Sequence, residues 1–211
     1  MSILPMSYSI VGILLAAGTG SRFGGDKLSH RLPDGTPMAV ASAARLLPVC
    51  VRVVAVLRPG RDDLAAALTA AGCEIVFCQE AEGGMGHSLA AGVCATADAA
   101  SWIIALADMP FIATSSHAAV AAALQAGASL AATQCQGRRG HPVGFARTWQ
   151  AQLATLTGDQ GGKTLLEQHR LTLTLCPVDD PGVLWDIDHP QDLIYEDRTA
   201  RSTYLGRDTP G

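Results

Sequence analysis

The chain has 211 residues, a formal net charge of −4, and 48% hydrophobic but only 5% aromatic residues. It has no basic stripe and few rings for stacking on bases, which argues against a nucleic-acid partner and favours a small-molecule one. No apolar stretch approaches the roughly 18 residues of a membrane span, so no membrane partner is expected.

The apolar content is sufficient for one large core, and we expect a single domain over residues 1–197. Residues 198–211 are polar and contain Gly and Pro, which predicts a flexible C-terminal tail. Six cysteines lie scattered without a C-x-x-C pair, a pattern typical of buried thiols in a reducing compartment. No basic residue precedes the apolar run 10–17, so we expect a cytoplasmic location rather than a signal peptide.

Strands and helices are predicted to alternate through the first two thirds of the chain. Apolar segments rich in β-branched residues predict strands at 9–15, 51–57, 74–78 and 102–107. Alanine-rich segments with helical spacing predict helices at 62–71, 87–97 and 116–126. This alternation indicates an α/β fold with a doubly wound, mostly parallel, Rossmann-like sheet.

The last third has a looser pattern. It predicts a strand at 128–133, a polar turn at 136–140, a short strand at 142–145, helical pieces at 148–156 and 163–169, and a long strand at 171–177. These segments are expected to add a few antiparallel strands and to cover one end of the sheet.

The segment LLAAGTGSRFGGDK, residues 14–27, breaks an apolar strand with glycines. It is not the G-x-G-x-x-G of a dinucleotide-binding loop, because Phe23 stands at the third glycine. It is not a P-loop either, because Asp26 precedes the lysine and Leu28 replaces the Ser or Thr that would hold magnesium.

Small residues in this segment allow backbone N–H groups to approach an anion, and Arg22 and Lys27 supply positive charge. Such a turn suits a nucleoside triphosphate. The alternative is an ordinary strand-to-helix turn with two solvated cations.

Two acidic motifs follow apolar segments. In LADMP, Asp108 comes directly after a predicted buried strand. Open α/β sheets bind their ligands at the carboxyl ends of such strands. A magnesium ion bound to a triphosphate would balance the charge of the Asp108 carboxylate. In WDIDHPQDL, Asp186 and Asp188 share one face if the chain is extended, and Pro190 can begin a helix. Either a second metal ligand or a helix cap at Asp188 is consistent with this local sequence.

Six motifs in order along the chain resemble the MobA-like nucleotidyltransferases, most closely their molybdenum cofactor cytidylyltransferase branch. They are LLAAGTGSRFGGDK, GMGHSL, LADMP, RGHPVGF, GDQGGKTLL and DIDHPQDL. The resemblance extends from about residue 9 to residue 194. It implies a nucleotidyltransferase fold of the glycosyltransferase-A-like type and an Mg²⁺-dependent transfer of CMP from CTP to the terminal phosphate of molybdopterin, with release of pyrophosphate.

The resemblance also implies site residues. The nucleotide would be wrapped by Leu15, Ala16, Ala17, Gly18 and Gly20, with Gly86 and Ser88 near the base. Arg22 and Lys27 would hold the triphosphate and stabilise the leaving pyrophosphate, and together with Asp108 they form the expected catalytic set. Asp108 and Asp188 would bind magnesium, with Asp186 in reserve because His189 replaces the family's usual Thr after Asp188.

For the molybdopterin acceptor, the resemblance implies contacts from Arg139, His141 and Pro142, while Lys163 stands where relatives often carry Arg. Ala17 in LAAG stands at the third place, where guanylyl-transferring relatives have the first glycine of LAGG, and its methyl group would crowd a purine more than a pyrimidine, which favours CTP.

Three alternatives remain open from the sequence. The enzyme could use GTP, or it could act on another phosphorylated acceptor. The chain could instead be a non-catalytic carrier that delivers the molybdenum cofactor to a partner molybdoenzyme or its chaperone.

Overall fold

Seven strands form one continuous sheet. The computed structural model describes residues 9–18, 20, 23–159 and 162–193. The strands are β1 (Ile10–Leu15), β2 (Arg52–Leu57), β3 (Glu74–Phe77), β4 (Ser101–Leu106), β5 (Leu130–Cys135), β6 (Arg138–Ala146) and β7 (Thr174–Pro177). Their order is β3-β2-β1-β4-β6-β5-β7, and every pairing is parallel except those of β6. The sequence prediction of a mostly parallel, doubly wound sheet with added antiparallel pairing is confirmed.

Helices cover both faces of the sheet. They are α1 (Met38–Leu46), α2 (Asp62–Ala70), α3 (Met85–Ala95), α4 (Thr114–Gln125), α5 (Gln150–Ala154) and α6 (Lys163–Gln168). One core packs α1, α2 and α4 against the sheet, and the other packs α3, α5 and α6. In the described ranges, no helix has both the length and the apolar character needed to cross a membrane.

The central strand β1 is buried along its whole length. Ile10 and Leu14 contribute to one core, whereas Val11, Ile13 and Leu15 contribute to the other. This alternation is the period-2 geometry of a strand with helices on both sides. It explains why the segment reads as a continuous apolar run in the sequence.

The reversed strand β6 inserts between β4 and β5. Ser101 pairs with Ala146 and Ile104 with Val143, so β6 begins beside the carboxyl end of β4. The reversal brings the first residues of β6 to the sheet edge at which the parallel strands end. Ligands of open α/β sheets bind at this edge.

The predicted boundaries differ most from the structure at the hairpin before β6 and at the start of β7, and one helix was missed. The polar turn is confined to Gln136 and Gly137, which have φ values of 51° and 74°, because this two-residue hairpin needs left-handed backbone at both positions. β6 is therefore longer than the predicted 142–145, and β7 starts at Thr174 rather than residue 171. The sequence assigned nothing to α1, a nine-residue helix without a side-chain N-cap. The expected limit at residue 197 and the tail 198–211 lie outside the described residues.

Candidate active site

A cavity of about 320 Å³ opens at the carboxyl ends of β1 and β4. We call it the glycine-loop cavity. Its walls come from the segment after β1 that contains Gly18 and Gly20, which we call the glycine loop, and from the start of α3, the end of β4 and the loop before α6. The lining residues are Leu15, Ala17, Gly18, Gly20, Lys27, Leu28, Ala81, Glu82, Gly84, Met85, Ser88, Leu106, Asp108 and Asp159.

Among the described residues that line this cavity, Lys27 is the only basic one. Its Nζ atom lies 2.8 Å from Oδ2 of Asp108 and 3.4 Å from Oδ1 of Asp188. Lys27 is only 8% exposed, and the side chains of Asp108 and Asp188 are 25% and 36% exposed. One largely buried ammonium group thus contacts two carboxylates, from Asp108 in the middle of the chain and from Asp188 near its end.

Local backbone bonds place Lys27 there. Gly20 has φ 61°, and a Cβ atom on it would lie 3.0 Å from Cβ of Lys27, so both conformation and space favour glycine. The N–H of Lys27 donates to the Gly25 carbonyl at 3.0 Å. The preceding residue, Asp26, forms a 2.5 Å ion pair with Arg61, whose side chain is 12% exposed, and this pair fastens the loop to the segment before α2.

The segment with Asp186 and Asp188 is fixed to the end of β4. The N–H of Ile187 donates to the carbonyl oxygen of Asp108 at 3.0 Å. Oδ2 of Asp192 accepts from the N–H groups of Asp188 at 3.1 Å and His189 at 2.7 Å. Asp192 thus accepts from the backbone just before the 3-10 turn at 190–193, and the Asp188 side chain contacts Lys27.

The donor set of Asp108 and Asp188 fits a magnesium ion bound together with a nucleotide. The two carboxylates already converge on one cation, the Lys27 ammonium. Magnesium is usually held by one or two carboxylates plus waters and substrate phosphates. Within the described ranges no cluster of three or more His, Cys, Asp or Glu side chains could hold a metal unaided. A metal at Asp108 and Asp188 would accordingly be bound weakly without nucleotide and more tightly when phosphate oxygens complete its ligands.

Most predicted nucleotide residues lie in the glycine-loop cavity. Leu15, Ala17, Gly18, Gly20, Lys27, Ser88 and Asp108 line it. Ala16 and Gly86 do not: Ala16 donates its N–H to the Val56 carbonyl and continues the sheet, and Gly86 donates its N–H to Gly158 at 2.8 Å. The prediction for Arg22 lies outside the described residues.

A second cavity of about 260 Å³ adjoins the first. We call it the His141 cavity. It shares Leu15, Met85 and Asp159 with the glycine-loop cavity. Its other lining residues are Leu89, Ile104, Arg139, Gly140, His141, Val143, Gly162, Lys163 and Leu166. Of the predicted acceptor residues, Arg139 and His141 line this cavity, and Pro142 lies between two residues that do.

His141 has an unusual environment for an imidazole. Its Nδ1 atom is buried and has no hydrogen-bond partner among the described residues. Burial lowers the pKa of His141, while a hydrogen bond to the backbone of Ile104 and the charges of Asp108 and Asp186 act in the opposite direction. The ring is therefore favoured in its neutral form, in which one nitrogen can accept a hydrogen bond.

The loop 157–159 lies between the two cavities. The sequence analysis did not predict that it borders the glycine-loop cavity. A Cβ atom on Gly86 would come within 2.7 Å of the Thr157 carbonyl oxygen, so this loop packs directly on the start of α3. Asp159 and Met85 consequently border both cavities. The only signal in the sequence was the pair of motifs GMGHSL and GDQGGK, and nothing in either shows that they touch.

Comparison with known proteins agrees with this arrangement. Residues 12–173 match the model of the MobA-like NTP transferase domain. The chain is 29% identical over 194 residues to the purine catabolism protein PucB of Bacillus subtilis, covering 87% of this chain and 93% of PucB. It is also 29% identical over 188 residues to nicotine blue oxidoreductase of Paenarthrobacter nicotinovorans, covering 85% and 92%.

A solved structure extends the similarity to three dimensions. The crystal structure of Rv0371c from Mycobacterium tuberculosis superposes with a TM-score of 0.76 at 26% identity, over 87% of this chain and 94% of that one. The same mycobacterial protein has been solved in complex with manganese, and that structure gives a TM-score of 0.69 at 22% identity, over 92% and 97%.

Proposed function

We infer the activity of this chain from one premise: it belongs to the MobA-like NTP transferase family. We propose that it transfers CMP from CTP to the terminal phosphate of molybdopterin and releases pyrophosphate. The observation that carries the proposal is the Lys27 ammonium between Asp108 and Asp188, inside a cavity walled by a glycine loop.

In this reaction an oxygen of the acceptor phosphate forms a bond to the α-phosphorus of CTP, and the bond from that phosphorus to the bridging oxygen of pyrophosphate breaks. The attacking phosphate is already ionised, so no general base is required. The protein must hold the reactants in line and neutralise charge on the leaving group. We assign this role to Lys27, whose side chain is largely buried in the cavity.

Asp108 and Asp188 would hold magnesium, which supplies charge neutralisation between the carboxylates and the triphosphate when bound. The manganese complex of the mycobacterial neighbour supports a divalent ion in a protein of this fold. Backbone groups of Leu15, Ala17, Gly18 and Gly20 would follow the nucleotide, because these residues line the same cavity as Ser88.

The choice of CTP over GTP is supported by Ala17, which is 6% exposed and lines the glycine-loop cavity. Its methyl group narrows the wall where a glycine would leave room for a purine. A contact of this size is worth about 1–3 kcal/mol, so partial use of other nucleotides is expected.

The acceptor is assigned to the His141 cavity, because this cavity adjoins the first and presents Arg139 and His141. The partners implied are therefore small molecules, a nucleotide and a pterin. A molybdoenzyme or its chaperone would receive the product.

The test is pyrophosphate release by the purified protein with Mg²⁺, molybdopterin and either CTP or GTP. Release that prefers CTP, and that is lost in Asp108→Ala and Lys27→Ala but kept in Arg170→Ala, is the expected result. Release only with another phosphorylated acceptor would replace molybdopterin. Tight cofactor binding without turnover would favour the carrier function.

A further inference from the structure

Arg61 contacts the chain on both sides of Lys27. Its Nη2 atom lies 2.5 Å from Oδ1 of Asp26 and 3.4 Å from Oγ of Ser29. Asp26 directly precedes Lys27, and Ser29 follows it by two positions. The N–H of Ser29 also donates to Oδ1 of Asp26 at 3.4 Å. A guanidinium, a carboxylate and a hydroxyl group therefore meet directly beside Lys27.

Arg61 itself is held in a defined place. Its side chain is 12% exposed, and its carbonyl oxygen accepts from the N–H of Ala65, in the first turn of α2, at 2.8 Å. It follows the carboxyl end of β2, at the sheet edge where the glycine-loop cavity opens. A guanidinium is always protonated in proteins, so a largely buried one supplies a permanent positive charge at this place.

Asp26 is the acidic residue next to Lys27 in the sequence, and its side chain is 50% exposed. Burial disfavours its ionised form, but the hydrogen bond from Ser29 and the charge of Arg61 outweigh this effect and lower the pKa of Asp26. The carboxylate is therefore negative at neutral pH. Without a counter-charge it would attract the Lys27 ammonium and repel a polyphosphate bound beside it.

Lys27 does not pair with this neighbouring carboxylate. In the part of the chain that the structure describes, its ammonium pairs with Asp108 and Asp188, whereas Asp26 pairs with Arg61. The local carboxylate is thus bound by the arginine, and the two carboxylates distant in sequence are bound by the lysine.

We propose that Arg61 is a positioning residue for Lys27: it neutralises the Asp26 carboxylate and thereby leaves the ammonium free for the Asp108–Asp188 pair and the triphosphate. The inference rests on the proposed function, because it assigns Arg61 to the same reaction. Arg61 does not line the glycine-loop cavity, so it acts through the charge of Asp26. The alternative is a mechanical tie, in which the ion pair only fastens the segment to the start of α2.

Substitutions of the two partners separate these interpretations. The affinity of the full chain for CTP with Mg²⁺ is measured by titration calorimetry. Arg61→Ala leaves an uncompensated carboxylate beside Lys27 and should weaken CTP binding about tenfold. Asp26→Asn removes that carboxylate, keeps an oxygen that accepts from Ser29, and should tighten CTP binding about twofold. The double variant of Arg61→Ala with Asp26→Asn should bind CTP within about twofold of the wild type.

A mechanical tie predicts a different pattern. Asp26→Asn would then weaken CTP binding as much as Arg61→Ala, and the double variant would be no better than either; this result, or an unchanged affinity in Arg61→Ala, would overturn the proposal. Arg61→Lys keeps the charge and should stay within about threefold of the wild type. Arg52→Ala is the matched control, since Arg52 pairs with Glu74 and Asp98 at the opposite end of β2, and it should not change CTP affinity.

Mn²⁺ binding to the same variants without nucleotide, followed by electron paramagnetic resonance, distinguishes failure of this inference from failure of the proposed function. If Asp26 draws the ammonium away, Asp108 and Asp188 become more available to metal. Arg61→Ala should then tighten Mn²⁺ binding about threefold, and the double variant should restore the wild-type value. A wild type that does not bind CTP would count against the proposed function. Equal Mn²⁺ affinity in the wild type and Arg61→Ala would overturn the role of Arg61.

Discussion

The ammonium of Lys27 lies 2.8 Å from a carboxylate oxygen of Asp108, although 81 residues separate the two in sequence. The contact connects the loop after β1 to the loop after β4, the two strands at the centre of the sheet. In nucleotide-free protein the lysine and a divalent metal would compete for the same carboxylates, because like charges cannot share them without cost.

Lys27→Met is therefore expected to change metal affinity and activity in opposite directions. Removal of the ammonium should tighten Mn²⁺ binding to the nucleotide-free protein about tenfold, as followed by electron paramagnetic resonance. It should also lower kcat/KM for pyrophosphate release by roughly a hundredfold or more, since charge on the leaving group is no longer neutralised. Unchanged Mn²⁺ affinity would show that lysine and metal do not share a position.

Asp188→Asn and Asp186→Asn separate the two acidic candidates. Asp188 contacts Lys27 at 3.4 Å, whereas the charge of Asp186 acts on His141. We expect Asp188→Asn to weaken Mn²⁺ binding about tenfold in the presence of CTP and Asp186→Asn to change it less than about twofold. The reverse order would assign the second metal ligand to Asp186.

Gly86→Ala is expected to destabilise the protein, because the new methyl group would lie 2.7 Å from the Thr157 carbonyl oxygen. We expect a loss of about 1–3 kcal/mol in the free energy of unfolding, measured by urea titration. Gly25→Ala is the matched control, since nothing lies within 4 Å of its added Cβ atom. Equal stability of the two variants would mean that the loop 157–159 moves away from α3 at little cost.

Asp180 fastens the last described segment to α4. Its carboxylate accepts from the Ala113 N–H at 2.8 Å, the Ser116 hydroxyl at 2.6 Å and the Gly182 N–H at 3.0 Å. Asp180→Ala leaves these buried donors unpaired and should reduce the free energy of unfolding by about 3 kcal/mol, compared with about 1 kcal/mol for Ser116→Ala. Similar losses in both variants would contradict the central role of the carboxylate.

Acidification should lower the free energy of unfolding already at pH values above those at which carboxylates take up protons. Burial lowers the pKa values of His117 and His141 from the usual 6.5. The unfolded chain then takes up protons at a higher pH than the folded one, so the free energy of unfolding falls as the pH drops below about 6.5. Urea titrations at pH 7.5 and 5.5 should show this fall, and His117→Gln combined with His141→Gln should reduce it. If the free energy of unfolding of the double variant still falls between pH 7.5 and 5.5 as in the wild type, other groups cause the pH dependence.

The sequence was informative where a pattern is local and continuous. The buried run of β1 and the alternation of strands and helices predict the parallel part of the sheet. The nine-residue α1 was missed, and its lack of a side-chain cap does not explain this, because the predicted helices α2, α3 and α4 lack one too. The start of β6 escaped because Arg138 and Gly140 resemble a turn, and only pairing with β5 makes them a strand.

Individual site residues could likewise be predicted only where a local pattern determines their position. Asp108 follows a strand whose end faces the ligand crevice, so its position could be inferred. The contact of Asp192 with the backbone of Asp188 depends on a tight turn that the sequence does not specify. The approach of the loop 157–159 to α3 joins segments 70 residues apart and is likewise a tertiary property.

The reversed direction of β6 has a consequence for how such an enzyme can diversify. The glycine-loop cavity is built mainly from chain preceding residue 109, whereas the polar groups of the His141 cavity come from residues 139–163. If the His141 cavity binds the acceptor, as proposed, an exchange of the β5–β6 hairpin and α6 would change the acceptor while the glycine-loop cavity stays in place. The two cavities are therefore encoded mostly by separate, successive parts of one gene, and each can change by mutation without the other.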